Sequence, residues 1–181
     1  MKKSIFASLG IIIIVCIVFI SYSRIYTITD NKRQLEDNIT QFSKRPTTIA
    51  NNIDIKQELN LDNKKYILFM TNNTLGDAEL TKGLNSKYKI EAIGGGGASF
   101  RYKIYKTNKG KYLILKGKNP NTKITYTKVT LENKEYKISI PQQEYFIVYC
   151  TVPSETQSIY PKTKNIKFYD KNDIDITDET F

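Results

Sequence analysis

The sequence predicts a mainly β protein with little helix, an antiparallel β-sandwich or a small barrel-like domain that follows an N-terminal transmembrane helix. Near its start, the chain of 181 residues has a run of 18 residues without a charged side chain. From residue 53 onward, short apolar or alternating segments recur between turn residues, which is typical of antiparallel sheets. Strands and helices do not alternate as they do in parallel α/β folds. The spacing does not decide between sandwich and barrel, and the sandwich is our choice.

The uncharged run, Ile5–Tyr22, lies between Lys3 and Arg24. As a helix it would be about 27 Å long, close to the hydrocarbon thickness of a bilayer. A lipoprotein signal requires a small residue before the modified cysteine, and Cys16 follows Val15. A cleaved secretory signal has an apolar core of about 7 to 15 residues, shorter than this run. A retained signal anchor is therefore favoured, and cleavage at Ser21-Tyr22-Ser23 remains the alternative.

Membrane orientation follows from the basic residues at the two ends of the run. Lys2 and Lys3 precede it, and Arg24, Lys32 and Arg33 follow it, so the charges are nearly balanced. A short basic start that leads directly into an apolar run favours a cytoplasmic N-terminus, with the bulk of the chain outside the cell membrane. The predicted organisation is a cytoplasmic segment 1–4, a signal anchor 5–22, a juxtamembrane amphipathic helix and linker 23–52, and an extracytoplasmic β-rich domain 53–181.

A short amphipathic helix is predicted over residues 29–42. Leu35, Ile39 and Phe42 have helical spacing, and Asp30 is a suitable N-cap. Pro46 ends this helix, and residues 47–52 form a polar linker. We expect the apolar stripe to pack against its own domain.

The first half of the β-rich domain contains two strand signals around a helical one. Tyr66–Met70 is a continuous apolar run of strand length, and Tyr88–Ile93 is a second strand. Between them, Leu75 to Leu84 suggests one or two helical turns. Gly94–Gly97 fits neither the Rossmann nor the P-loop spacing, so we interpret it as a flexible hairpin connection.

The second half of the domain is predicted to be strands joined by short turns. Tyr145–Val152 is the most apolar of them and is predicted to be a central strand. An alternation that breaks near Lys128 suggests a bulge. The predicted strands and their connections are a hairpin of 100–105 with 112–115, strand 124–131, strand 136–140 ending at Pro141, strand 145–152, and a last hairpin formed by residues 166–168 and 174–176.

The absence of histidine excludes several catalytic sites. A Ser-His-Asp triad, a Cys-His pair and an HExxH zinc site all require it. Cys150 lies in an apolar strand, which is typical of a structural thiol. Ser86 and Lys89 form a Ser-x-x-Lys string that leads into the predicted strand Tyr88–Ile93, where positions three apart point to opposite faces, so the spacing argues against their acting together. We predict no catalytic residue and no cofactor.

The acidic C-terminal segment does not fit a calcium-binding EF-hand loop. A loop that begins at Asp170 would need an oxygen ligand at Ile174, a glycine at Asp175 and a glutamate at Phe181. We predict no metal site. Cys16 lies in the membrane run, so it is not expected to form a disulfide with Cys150.

Basic residues are concentrated between Arg101 and Ile140, where eleven of them face only Glu132 and Glu135. The ordinary interpretation is a solvated surface. The more specific alternative is a surface for an anionic partner such as an anionic lipid or an acidic cell-wall polymer. Tyrosines interleaved with lysines also occur in single-strand nucleic-acid sites, but they are common in antiparallel sheets, so nucleic acid is disfavoured. The eleven residues are Arg101, Lys103, Lys106, Lys109, Lys111, Lys116, Lys118, Lys123, Lys128, Lys134 and Lys137.

Together these observations predict a single-pass membrane protein of the bacterial cell envelope. Its outward domain is expected to be a non-enzymatic binding or interaction module, with the membrane, an anionic polymer or another membrane protein as partner. Two alternatives stay open: a carboxylate-dependent hydrolase of the envelope, and a sensor or immunity-type membrane protein.

Overall fold

The computed structural model describes residues 2–43 and 52–180, with side chains from residue 10 onward. Two α-helices precede a series of antiparallel strands. The helices are α1 (Lys2–Ile25) and α2 (Lys32–Ser43), and the strands are β1 (Asp54–Leu61), β2 (Lys64–Thr71), β3 (Thr74–Lys82), β4 (Tyr88–Gly95), β5 (Phe100–Lys106), β6 (Lys111–Lys118), β7 (Tyr126–Leu131), β8 (Lys134–Ser139), β9 (Tyr145–Val152) and β10 (Ile166–Tyr169).

Within the described residues, the strands form three antiparallel sheets, in the orders β1-β2-β3-β4, β5-β6-β9 and β10-β7-β8. None of them closes into a barrel, and the prediction of a mainly β, antiparallel fold is confirmed. Tight turns make neighbouring strands pair. Asn72 and Asn73 both have positive φ between β2 and β3, and so do Glu132 and Asn133 between β7 and β8; such turns match the twist of a hairpin.

Helix α2 covers one face of the first sheet. Leu35 and Ile39 are fully buried and pack with Ile67, Phe69 and other apolar side chains of that sheet. The helix predicted at 29–42 is thus present, and its stripe packs on its own domain. Its cap is Asn31, whose Oδ1 accepts the N–H of Gln34 at 3.2 Å.

Asp30, the predicted cap, has another role. Its Oδ1 accepts a hydrogen bond at 2.6 Å from Nζ of Lys65, a β2 residue that is only 1% exposed. Of the predicted linker 47–52, only Asn52 lies within the described residues.

The middle sheet is buried on both faces. In β6, Leu113 and Leu115 belong to the core shared with the third sheet, whereas Ile114 packs with Tyr66 of the first sheet. Alternate side chains of one strand therefore serve two cores. This double burial explains why Tyr112–Leu115 is a continuous apolar run.

Of the segment 75–84, residues 75–82 belong to strand β3 and Gly83 and Leu84 lie in the turn after it, so no part of it is helical. Gly76 pairs with Phe69 of β2, and a Cβ at Gly76 would overlap the Phe69 ring. Because two of the inward positions are Gly76 and Ala78, large apolar residues do not alternate regularly along this strand. The helical prediction was wrong for that reason.

The prediction that β9 is central was also wrong. Strand β6 lies between β5 and β9, so β9 is an edge strand, and its Tyr149 is 44% exposed. The bulge expected near Lys128 is absent, because β7 pairs with β8 in unbroken register. Thr127 breaks the apolar alternation instead. It is fully buried and donates a hydrogen bond through Oγ1 to the Lys167 carbonyl at 2.9 Å.

Two connections differ from the prediction. Gly94–Gly97 joins strands of different sheets, since β4 pairs with β3 and β5 pairs with β6. The final hairpin is reduced to one bridge between Tyr169 and Asp175, and Ile174 is 57% exposed.

Helix α1 carries a continuous stretch of exposed apolar side chains. The large apolar residues from Ile11 to Ile20 are between 51% and 67% exposed. Among the described residues, no helix has both the length and the apolar character needed to cross a membrane.

Candidate binding cleft between two sheets

An open cleft of about 790 Å³ lies between the first and middle sheets. The β4–β5 connection forms one wall, and the loop that precedes β10 forms the opposite wall. Its lining includes Gly94–Gly97 on the first side, Tyr160 and Lys162 on the other, and side chains of β3 and β5 between them.

The floor of the cleft contains a buried cluster of charges around Asp77. Nζ of Lys116 lies 2.5 Å from Oδ2 of Asp77, and Nη1 of Arg101 lies 3.1 Å from Oδ1. Lys116 is 1% exposed. Burial lowers the pKa of Lys116, because loss of hydration outweighs its attraction to Asp77. The charge of Asp77, the nearest carboxylate, offsets part of the cost of burying Lys116.

Two tyrosines complete the surroundings of Lys116. Nζ of Lys116 donates a hydrogen bond to the Tyr105 hydroxyl at 3.0 Å, and it lies 5.0 Å from the Tyr105 ring centre and 5.6 Å from that of Tyr66. Burial raises the pKa of both phenols. The Tyr66 hydroxyl is buried and has no hydrogen-bond partner among the described residues.

The glycine run is explained at two positions by its neighbours and backbone. A Cβ at Gly94 would lie 2.7 Å from Oδ1 of Asp77 and 3.0 Å from Nη1 of Arg101, so a side chain there would disrupt the ion pair. Gly96 has φ of +154°, which other residues rarely adopt. Gly95 and Gly97 have open space where a Cβ would be, so their backbone is accessible from the cleft.

The mouth of the cleft is basic. Nζ of Lys103 lies 5.0 Å from the Tyr105 ring centre and 5.9 Å from that of Tyr160. Among the described residues, no carboxylate lies within 4 Å of Lys103 or Lys162. The acids of the lining are paired, since Asp77 binds two cations and Glu79 lies 2.8 Å from Nζ of Lys64.

Hydrogen bonds hold the wall that carries Lys162. Ile104 N–H donates to the Ile159 carbonyl at 2.8 Å, and the hydroxyls of Tyr102 and Thr163 are 2.7 Å apart. The segment 159–163 therefore lies against the edge of β5, and this brings Lys162 to the same cleft as Lys103.

The eleven basic residues that the sequence singled out do not form one surface. Arg101 and Lys116 bind Asp77 within the cleft floor, and Lys116 is buried, so it does not lie on any surface. Four exposed or partly exposed lysines pair with carboxylates outside the cleft. They are Lys109 with Asp62, Lys118 with Glu144, Lys123 with Glu179, and Lys128 with Glu135.

The remaining five lie on different sheets without a carboxylate within 4 Å among the described residues. Lys103 is the one that lines the cleft, and Lys106 is exposed at the end of the same strand. Lys111 donates to the Thr156 carbonyl at 2.7 Å. Nζ of Lys137 lies 3.9 Å from the Tyr126 ring centre, and that of Lys134 lies 5.2 Å from the Tyr136 ring centre.

The sequence reasoning missed Asp77, Tyr160 and Lys162. Asp77 lies in the strand that was interpreted as helix, although Leu75, Asp77 and Glu79 do alternate with Gly76, Ala78 and Leu80. Nothing in the loop 153–163 marks Lys162, because its contact with the cleft depends on how that loop folds against β5.

Three other groups considered from the sequence lie away from this cleft. Burial raises the pKa of Cys150 to about 11, which keeps the thiol protonated. Asp170 accepts the N–H groups of Asn172 and Ile174 at 2.8 and 2.9 Å and so closes its own turn. Among the described residues, no group of three or more His, Cys, Asp or Glu side chains is placed to hold a metal ion. Ser86 lies in the turn before β4 with φ of +59°.

No protein-family model, curated protein or solved structure matches this chain.

Proposed function

We propose that this protein is a membrane-tethered, non-enzymatic binding module of the cell envelope, with its sheet domain outside the cytoplasm. The cleft beside Gly94–Gly97 is the binding site. Its ligand is an anionic polymer that carries phosphate groups, of the acidic cell-wall type. The observation that carries this proposal is the placement of two lysines without carboxylate partners, Lys103 and Lys162, at the mouth of an open cleft.

The tether is supported by sequence and by exposure. Residues 5–22 contain no charge. The apolar side chains between Ile11 and Ile20 are exposed at consecutive positions, so they cover every side of α1. A helix that is apolar all round requires an apolar environment, and here the described part of the sheet domain does not provide it. A bilayer does.

The chemistry of the cleft supports phosphate as the recognised group. Lysine ammonium groups form charge-assisted hydrogen bonds with phosphate oxygens. The exposed glycine backbone allows a bulky anion to approach closely. The ring of Tyr160, which is 61% exposed, offers a flat surface against which the sugar or polyol of a polymer packs.

The same geometry favours binding over hydrolysis. A carboxylate-dependent hydrolase needs one carboxyl group that donates a proton and one that acts as base or nucleophile. Asp77 and Glu79, the acids of the lining, are each ion-paired with lysine or arginine. Neither is available for such a role.

Binding is tested with full-length protein in neutral detergent micelles, titrated with poly(glycerol phosphate). The double variant Lys103→Gln/Lys162→Gln removes two charge-assisted contacts and is expected to weaken binding at low salt by at least about tenfold. Lys106→Gln/Lys171→Gln is the matched control, because it removes the same charge from exposed positions outside the cleft. It should weaken binding by about twofold or less.

Two outcomes would overturn the proposal. One is a wild-type affinity for the phosphate polymer no higher than that for neutral dextran. The other is an equal loss of affinity in the cleft variant and the control variant, which would mean that overall charge and not the cleft attracts the polymer.

A further inference from the structure

The C-terminal end of α1 is clamped to the β3–β4 loop. We call this loop, Gly83–Lys87, the Leu84 tip. The N–H of Leu84 donates to the Tyr22 hydroxyl at 2.5 Å, and Nδ2 of Asn85 donates to the Tyr26 carbonyl at 3.0 Å. A Cβ at Gly83 would lie 2.6 Å from the Tyr26 ring and 2.7 Å from the Tyr22 hydroxyl. Glycine at this position lets the helix end lie directly on the loop.

The clamp continues into the sheet. Ile28 and Tyr88 exchange backbone hydrogen bonds of 3.1 and 2.7 Å, which attach the segment after α1 to the start of β4. The rings of Tyr22 and Tyr26 stack with centres 4.6 Å apart, and Nζ of Lys89 lies 5.6 Å from the Tyr26 ring centre. The position of the Leu84 tip relative to the last turn of α1 is therefore fixed.

Leu84 projects from this tip into solvent. It is 94% exposed, more than any other large apolar side chain among the described residues. Arg24 in the last turn of α1, and Lys82 and Lys87 on either side of Leu84 in the chain, are exposed, and none has a carboxylate within 4 Å in the described part of the chain. The sequence from Lys82 to Lys89 contains no acidic residue.

An exposed apolar side chain in a loop flanked by lysines, beside stacked tyrosines at the end of α1, has the chemistry of a membrane interface. Tyrosines concentrate at the level of the lipid headgroups. Lysines and arginines near an anionic leaflet are attracted to it, and an apolar side chain among them enters the boundary between headgroups and acyl chains. Tyr22 also ends the uncharged run, so the tip lies where the proposed tether leaves the bilayer.

We propose that the Leu84 tip is a second membrane contact, in which Leu84 enters the headgroup region of an anionic bilayer beside the exit point of α1. This inference rests on the proposed tether. It adds that the sheet domain has a fixed orientation relative to the membrane, because the Leu84 tip contacts the leaflet in addition to α1.

The chain contains no tryptophan, so Leu84→Trp places a single tryptophan at the tip. The variant is reconstituted as full chain into phosphatidylcholine–phosphatidylglycerol vesicles, with or without lipids brominated high on the acyl chain. We expect blue-shifted emission and at least about twofold quenching by the brominated lipid. Ile174→Trp, at a position 57% exposed in the loop after β10, is the matched control and should be neither shifted nor quenched.

Alkaline carbonate extraction of the same vesicles separates the two proposals. If the chain resists extraction while the tryptophan of the Leu84→Trp variant emits as in water and is not quenched, the tip contact is overturned and the tether stands. If carbonate releases the chain, the tether is overturned, and the tip contact is overturned too because it depends on the tether. Equal quenching in the tip variant and the control variant also overturns the tip contact, because it would place the domain in the bilayer without a preferred loop.

Discussion

At the scale of single residues, Asp77 has the largest structural role in the cleft. It binds Lys116 and Arg101 at once, and Gly94 leaves the space in which the Arg101 pair lies. Two cations buried beside each other would repel strongly without this carboxylate. The cleft floor therefore depends on one negative charge.

We expect Asp77→Asn to lower the free energy of unfolding by about 3–5 kcal/mol, because it leaves Lys116 buried without a charge partner. Lys116→Met is the comparison, since it removes the buried cation, keeps similar volume and leaves Asp77 paired with Arg101. It should cost far less. Guanidinium unfolding of the full chain in detergent, followed by circular dichroism, measures both. Equal losses in the two variants would contradict this account.

Tyr66 and Tyr105 provide a pH-dependent prediction. Burial raises the pKa of both phenols, so the folded chain keeps their protons at a pH where the unfolded chain, with phenol pKa of about 10, has released them. Folding stability is unaffected by them below that pH and falls as the pH rises above it. In an alkaline titration, part of the tyrosinate absorbance should appear together with loss of circular dichroism.

Tyr66→Phe serves as the control for that titration. It removes a buried hydroxyl that has no hydrogen-bond partner among the described residues, so it should stabilise the chain by about 1 kcal/mol and move alkaline unfolding to higher pH. The prediction fails if all phenols titrate reversibly while the secondary structure is unchanged.

At the level of helices and strands, prediction depended on large buried apolar side chains at regular positions, and β3, where two of the buried positions are small, was predicted wrongly. Leu35 and Ile39 revealed α2, and the run Tyr112–Leu115 revealed β6. Strand β3 was not predicted because glycine and alanine occupy two of its buried positions, opposite Phe69 and Ile67. The site was less predictable than the fold. Lys103 was among the residues chosen from the sequence. Lys162 was not, because it lines the cleft only through the conformation of the loop 153–163, which no local sequence pattern predicts.

Charged substitutions in helix α1 test whether its apolar run crosses a bilayer. Ile13→Asp/Ile17→Asp places two charges within the apolar run. At about 2.5–3.5 kcal/mol for each charge near the middle of a membrane helix, insertion is expected to be lost. Membranes that carry the variant should release it in alkaline carbonate, whereas the wild type should stay in the pellet. Ile13→Leu/Ile17→Leu is the matched control and should also stay, and its release would contradict a tether at α1.

At the scale of the whole molecule, the order of layers is α2, first sheet, middle sheet and third sheet. Sequence patterns showed that strands were present and antiparallel, because turns and alternation are local. They did not show which strand was central, since β6 and β9 are similarly apolar. Whether β6 or β9 is the central strand is decided by pairing between distant parts of the chain, and local sequence patterns do not contain that information.

The ends of β4 connect the two proposed contacts. Tyr88 follows the Leu84 tip and Gly95 lines the cleft; a strand of this length spans about 23 Å. The Debye length at physiological salt is about 8 Å. We therefore expect the affinity for poly(glycerol phosphate) to be the same, within about twofold, for protein in neutral vesicles and in phosphatidylglycerol vesicles. A strong drop with anionic lipid would show that headgroups compete for the cleft.

With α1 in the bilayer and Leu84 in the headgroup region, the clamp between Tyr22, Tyr26 and the Leu84 tip would allow the sheet domain to rotate about the membrane normal but would fix its tilt. All copies in one leaflet would then carry their clefts at a common height. A long ligand lying parallel to the surface would meet several copies in succession, and each engaged cleft would raise the local concentration of polymer for the next. Several weak sites engaged at once would therefore bind one polymer with high avidity.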